Sequence, residues 1–196
     1  MTLHVAADAD DVVVDFVPGI LDTINRDFGA NLQPDDITDW NFGQFIDDII
    51  GEDWWTWMEK HAWLWGEKFK PVPGALGGLE TLRRAGHRVE MLTSKPEWAE
   101  RQMWVWAARY GPKVSSITQV PLGENKTLYT SAQVLIDDRD KNVLEWVQSD
   151  ENRWALLYDR AHNRDFDQGV EPRIMRVKSW TEVLRYIGAI DWEVHR

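Results

Sequence analysis

Carboxylates dominate the residues of this chain that could do chemistry. Asp8 and Asp10 follow an apolar run near the N-terminus, and Asp137-Asp138 follow Val134-Leu135-Ile136 much later. Thr93 and Ser94 end a third apolar run, Val89-Glu90-Met91-Leu92, and Lys126 stands alone among turn residues in Gly123-Glu124-Asn125-Lys126-Thr127. Brought together, these groups supply hydroxyl donors, a cation and several carboxylates, which is the equipment for phosphoryl transfer. Four carboxylates in one crevice repel one another strongly. The physical remedy is a hard cation, and an all-oxygen site that keeps several waters suits Mg²⁺.

Such residues converge only if the chain places the ends of several strands side by side. Leu3 to Ala7, with Val12-Val13-Val14 after the first aspartates, lacks polar alternation and reads as a strand buried on both faces. Helical spacing begins near Phe16 and continues through a Trp-rich stretch to about Trp65, and Pro71-Val72-Pro73-Gly74 then punctuates the chain. Beyond it the spacing predicts a helix around Leu76, Leu79 and Leu82 closed by Gly86, a strand over Val89–Leu92, and a helix over Trp98–Tyr110 stopped by Gly111-Pro112. Strands follow at Ile117–Val120, Val134–Ile136 and Trp154–Tyr158, and a closing helix at Trp180–Ile187. Strands alternating with helices indicate an α/β fold with a Rossmann-like parallel sheet flanked by helices, whose ligands bind at the carboxyl ends of the strands. The roughly 55 residues after the first strand exceed an ordinary strand-to-helix loop and read as an inserted helical cap. The expected division is a core of residues 1–16 and 71–196 and a Trp-rich cap of residues 17–70.

Composition narrows the function classes. The 196 residues carry a net charge of −11, which argues against a duplex nucleic-acid binder but leaves room for a small anionic substrate held by a few placed cations. There is no cysteine, so disulfides, thiolate catalysis and thiolate zinc sites are excluded. No apolar run has membrane-spanning length and the N-terminus lacks a signal-peptide pattern, so a cytoplasmic location is expected and a membrane partner is not. Oligomeric state is left open. Tryptophan is over-represented: 13 in all, six of them between Trp40 and Trp65. They either fill a small helical subdomain or form a wall that stacks on something flat.

The motifs also resemble a known family. Asp8-Ala9-Asp10-Asp11-Val12, Thr93, Lys126 and Ile136-Asp137-Asp138 follow, in order, the four motifs of the haloacid dehalogenase (HAD) superfamily of phosphohydrolases. Within it, Asp8 to Phe16, Pro71 to Ala75, Leu92-Thr93-Ser94, Asn125-Lys126-Thr127 and Leu135 to Arg139 resemble the 5′(3′)-deoxyribonucleotidase branch, and His162-Asn163 echoes a late pair of that branch. Asp11 departs from it, standing where the branch usually has Gly.

The resemblance implies Mg²⁺-dependent hydrolysis of deoxyribonucleoside monophosphates. Asp8 would be the nucleophile and Asp10 the general acid and base. Thr93, Ser94 and Lys126 would bind the phosphoryl oxygens. Mg²⁺ would be held by Asp8, the main-chain carbonyl of Asp10 and one of Asp137 and Asp138, Asp137 being the first choice and Asp138 then a supporting group. Trp40, Phe42, Trp54, Trp55 and Arg139 are candidates for contact with base or sugar, though Arg139 could equally pair with Asp138 or Asp140. Lys95 is expected to face solvent, and His4, His61, His87 and His195 show no metal-ligand spacing. The alternatives are a phosphatase of another small ester and an idle binding module of the same fold.

Overall fold

The structure is a computed structural model that describes residues 2–194, so His195 lies outside the described residues. Six strands form one parallel sheet: β1 (His4–Ala7), β2 (Arg88–Lys95), β3 (Ser116–Pro121), β4 (Val134–Asp137), β5 (Trp154–Tyr158) and β6 (Ile174–Val177), in the order β3-β2-β1-β4-β5-β6. The central strands are apolar without interruption because both faces are covered. Val5, Ala7, Val134, Ile136 and Leu156 pack on one face, and Ala6, Leu135, Ala155 and Leu157 on the other. Winding reverses between β1 and β4, whose register pairs Ala7 with Ile136 and so sets the residues after each strand side by side.

Helices α1 (Phe16–Phe28), α2 (Gly43–Ile50), α3 (Trp54–Lys60) and α4 (Trp63–Glu67) lie between β1 and the helix α5 (Ala75–Arg84) that leads into β2. The chain leaves for this insertion and returns from it at one place. Asp15 N donates to Lys70 O at 2.8 Å and Val72 N donates to Val13 O at 2.9 Å. Helix α6 (Glu100–Tyr110) packs against α4, α7 (Asp140–Ser149) covers the second sheet face through Val143, Trp146 and Val147, and α8 (Trp180–Val194) lies against α5.

Several expectations need correction. Val12–Val14 are fully buried, but they form a turn with isolated bridges, not strand, because the chain must bend to enter the insertion. Strand β2 runs past Leu92 and takes in Thr93, Ser94 and Lys95. Strand β6 and helix α7 were not anticipated. Arg176 interrupts the apolar run of β6, and α7 spends its polar positions on the site described below.

The turn after β1 explains Asp11. This residue has φ 55°, the left-handed region that Gly adopts freely and that Asp tolerates better than most residues. Its carboxylate accepts the Val17 main-chain N–H at 3.0 Å in the first turn of α1, whereas Asp15, at the N-cap position, makes no side-chain capping bond. Asp11→Ala should therefore cost about 2 kcal/mol, roughly 1 from left-handed strain and 1 from the lost cap. Asp11→Asn keeps both features and should stay within about 1 kcal/mol of wild type in urea unfolding.

A second contact supports the same turn. Trp180, buried, donates its indole N–H to Val12 O at 2.9 Å, and a Cβ on Gly78 of α5 would lie 2.3 Å from the Trp180 ring. Helix propensity favours Ala over Gly by about 1 kcal/mol, but the overlap costs about 1–3 kcal/mol. Gly78→Ala should lower Tm, whereas Gly77→Ala, whose Cβ would meet open space, should raise it slightly. Thermal melts of the two neighbouring variants measure the difference.

Candidate active site

The carboxyl ends of β1 and β4 put three buried carboxylates in one place. Asp8, Asp137 and Asp138 each offer an oxygen, and these oxygens lie within 4.8 Å of one another. Asp8 N is held by Ile136 O at 2.8 Å, which locks the end of β1 to the end of β4. Lys126, buried at the start of a 3₁₀ turn over Lys126–Leu128, inserts its ammonium 2.9 Å from Asp8 Oδ1 and 2.7 Å from Asp137 Oδ2. That turn is itself capped by Asn125, whose side chain accepts the Thr127 N–H at 2.9 Å.

Asp137 and Asp138 differ in what is left to them. Asp137 is 0% exposed, and both of its oxygens already take donors. Oδ1 accepts the Arg139 N–H at 2.9 Å, Oδ2 accepts Lys126, and the Asn142 amide reaches both at 3.1 Å. Asp138 lines the open cavity, with Oδ2 3.1 Å from His162 Nε2. Its main-chain carbonyl accepts the Asn163 amide at 2.7 Å. The His162-Asn163 pair, a faint echo in the sequence, thus fixes the second aspartate of the pair.

Electrostatics reflect the crowding. Burial, together with the charges of Asp137, Asp138 and Asp10, pushes the Asp8 carboxyl up to about 7 against the opposing pull of Lys126. Burial and the nearby Asp138 push Asp11 up to about 8, although Arg160 opposes them. Burial also raises Asp137, and for Lys126 it is outweighed by Asp137 and Asp8, which hold the ammonium above its ordinary range. His162 is held above its usual value because its bond to Asp138 overcomes burial. Oxygen donors alone, buried, close together and short of positive charge, fit a hard divalent cation such as Mg²⁺.

A cavity of about 700 Å³ opens beside this cluster, between the sheet and the insertion. Asp8, Asp10, Ser94, Lys126, Asp138 and Arg139 line it from the sheet side, and Trp40, Phe42, Trp54 and Trp55 from the insertion. Thr93 and Asp137 do not reach its surface, and Thr93 is buried one residue before Ser94. The rings do different work. Trp54 is buried, stacked on Trp57 at 6.0 Å and met edge-on by Phe42 at 5.3 Å, so it is largely a packing residue. Trp55 is 46% exposed. Trp40 lies under the guanidinium of Arg139, 3.4 Å from ring centroid to Cζ, and among the described residues Arg139 pairs with neither Asp138 nor Asp140.

Besides Asn142, Lys95 and Trp65 escaped the sequence reading of the site. Lys95 does not face solvent: it is 2% exposed, and its ammonium sits 2.5 Å from Asp10 Oδ2. Trp65 of α4 donates its indole N–H to Asp10 Oδ1 at 3.1 Å. The position of Lys95 directly after Thr93-Ser94 was the available signal for the first. Nothing in the spacing singles Trp65 out from the other tryptophans.

Comparison with known proteins agrees with this geometry. The chain matches solved structures over nearly its whole length at low identity, which shows the shared fold. YfnB of Bacillus subtilis, described as a HAD-hydrolase and solved bound to magnesium, aligns with a TM-score of 0.64 at 13% identity, covering 94% of this chain and 98% of its own. A haloacid dehalogenase-like family hydrolase from Xanthomonas campestris aligns with a TM-score of 0.64 at 13% identity over 100% and 98%. A HAD phosphatase from Thermococcus onnurineus aligns with a TM-score of 0.54 at 18% identity over 96% and 98%. A search of curated proteins finds no significant match. The family described as "5′ nucleotidase, deoxy (Pyrimidine), cytosolic type C protein" matches residues 2–191. With its buried Asp–Lys–Asp cluster at the winding reversal of a parallel sheet, the chain belongs to this 5′-nucleotidase family of HAD-type hydrolases.

Proposed function

We propose that the protein hydrolyses deoxyribonucleoside monophosphates with the help of Mg²⁺, through an aspartyl-phosphate on Asp8. The observation that carries this reading is the placement of Asp8. Its hydrogen bonds fall on Oδ1, from Lys126 and from the Ala9 N–H at 2.7 Å, and its carboxylate stands at the floor of a ring-lined cavity large enough for a nucleotide. In this reading an Asp8 oxygen attacks phosphorus as the bond to the leaving oxygen breaks, and Asp10 gives that oxygen its proton. Asp10 then takes a proton from the water that hydrolyses the intermediate, returning Asp8 and releasing phosphate. Lys126 and the end of β2 at Thr93-Ser94 neutralise and orient the phosphoryl oxygens, with Ser94 nearer to the substrate and Thr93 supporting it from behind.

The cation is assigned to Asp8, Asp138 and the Asp10 main-chain carbonyl. Because Asp137 already serves Lys126, Asn142 and the Arg139 N–H, it acts as the anchor of Lys126 and as a supporting group. Bound there, Mg²⁺ would offset the repulsion between the Asp8 carboxylate and the phosphate dianion. Residues 17–70 act as the cap that closes over the base, and Trp55 is the ring left free to stack on it.

Phosphate release from 2′-deoxy and ribonucleoside monophosphates and from base-free phosphate esters, with and without Mg²⁺, tests the proposal. Turnover should be fastest on the deoxynucleotides, vanish with EDTA and return with Mg²⁺. Asp8→Asn should be inactive yet folded. Equal rates on nucleotides and on sugar phosphates would overturn the nucleotide assignment, and full activity after exhaustive chelation would overturn the metal. Trp55→Ala should lower the nucleotide-to-p-nitrophenyl phosphate ratio of kcat/KM by about 5- to 150-fold, the loss of one base stack. Trp54→Ala should instead reduce stability, because its ring is packed against Phe42 and Trp57.

A further inference from the structure

Lys95 is the last residue of β2, and its side chain is almost completely buried. A buried ammonium persists only where its charge is matched. Among the described residues its one carboxylate partner is Asp10, at 2.5 Å, and the face of Trp65 lies beneath it, 4.4 Å from the ring centroid. Trp65 in turn donates its indole N–H to the other oxygen of Asp10. Its ring is fixed by stacking on Phe16 at 5.2 Å and 15° and by an edge contact with Phe69 at 5.9 Å. Both oxygens of Asp10 therefore have a donor, one from the sheet and one from the insertion. Asp10 itself stays partly open to the cavity, with 25% of its side chain exposed.

We infer that Lys95, with Trp65 as its counterpart on the insertion, is a positioning residue for the proton-transferring carboxyl of Asp10. A free aspartate samples several rotamers, and a general acid works only within hydrogen-bond reach of the leaving oxygen. Two donors on fixed elements hold the group in one orientation at the cavity wall. Because one donor comes from the insertion, Asp10 is fully oriented only when α4 is packed against the sheet.

The inference rests on the proposed roles of Asp8 and Asp10, and leaving-group dependence tests it. kcat/KM reports the steps up to departure of the leaving group, so it is sensitive to general acid help for an alkyl alcohol and much less so for p-nitrophenol, which leaves unaided. Glycerol 2-phosphate and p-nitrophenyl phosphate, both without a base, are the probes. Lys95→Met, similar in length and without charge, should shift the ratio of kcat/KM in favour of the aryl ester by about 10- to 100-fold. Trp65→Phe, which removes the N–H and keeps a ring, should shift it the same way by a smaller factor, and it decides the matter alone if Lys95→Met fails to fold. Folded variants that lose activity on both esters in equal proportion would make Lys95 a packing residue and overturn the inference. A wild-type protein that hydrolyses neither ester but hydrolyses nucleotides moves the same comparison to a nucleoside 5′-monophosphate and its 5′-thio analogue with bridging sulfur, a monoester whose thiolate leaves without a proton; an unchanged ratio there overturns the inference. One that hydrolyses no phosphate ester at all overturns the underlying reading, a result distinct from an unchanged ratio.

Discussion

Three aspartates share a space in which their mutual repulsion would be prohibitive in an apolar core, and most of the surrounding structure answers that repulsion. Parallel pairing of β1 with β4 brings Asp8 next to Asp137 and Asp138, and the sheet leaves neither strand end room to move apart. Lys126 is buried between the carboxylates of Asp8 and Asp137, the Asn142 amide and the Arg139 N–H take up the remaining lone pairs of Asp137, and His162 faces Asp138. Each of these groups would be costly to bury without the others. Even so, the positive charge falls short of the negative, and that deficit, not any single residue, is what makes the cluster fit a divalent cation.

The same constraint reaches into the insertion. Asp10 and Asp11 leave β1 in the turn that the insertion grows from, and both are satisfied by groups the insertion supplies: the Trp65 indole for Asp10 and the first turn of α1 for Asp11. From the other side, Trp180 of α8 holds Val12 of that turn. The helical insertion is therefore wired to the turn after β1 through hydrogen bonds and not merely laid over it.

The tryptophans divide along lines that composition alone does not draw. Trp54, Trp57 and Trp65 pack the insertion, Trp106 and Trp146 pack helices α6 and α7, and Trp180 buttresses the turn. Only a few rings, Trp40 and Trp55 among them, keep a substantial open face on the cavity, and Trp40 is already covered by Arg139. A small subdomain with few residues to bury uses large rings first as filler. Stacking capacity is what remains after packing is met.

The residues that line the sheet side of the cavity were legible in the sequence because each sits at the end of a short uninterrupted apolar run or in a turn of characteristic composition. Such runs specify parallel strands whose ends converge, so Asp8, Asp10, Ser94, Lys126 and Asp138 could be named before any contact was known. Local spacing could not say which of Asp137 and Asp138 keeps free oxygens, because that depends on Lys126 and His162 arriving from other parts of the chain. Nor could it place Lys95 indoors: a lysine after two polar residues ordinarily faces water, and only the approach of Asp10 and Trp65 makes its burial favourable. The sequence by itself determined which chemistry the chain can perform, since residue type and strand ends are local properties. The tertiary structure decided which oxygen is free, which ring is open and which cation touches Asp10, since each of these depends on contacts between residues far apart in the chain.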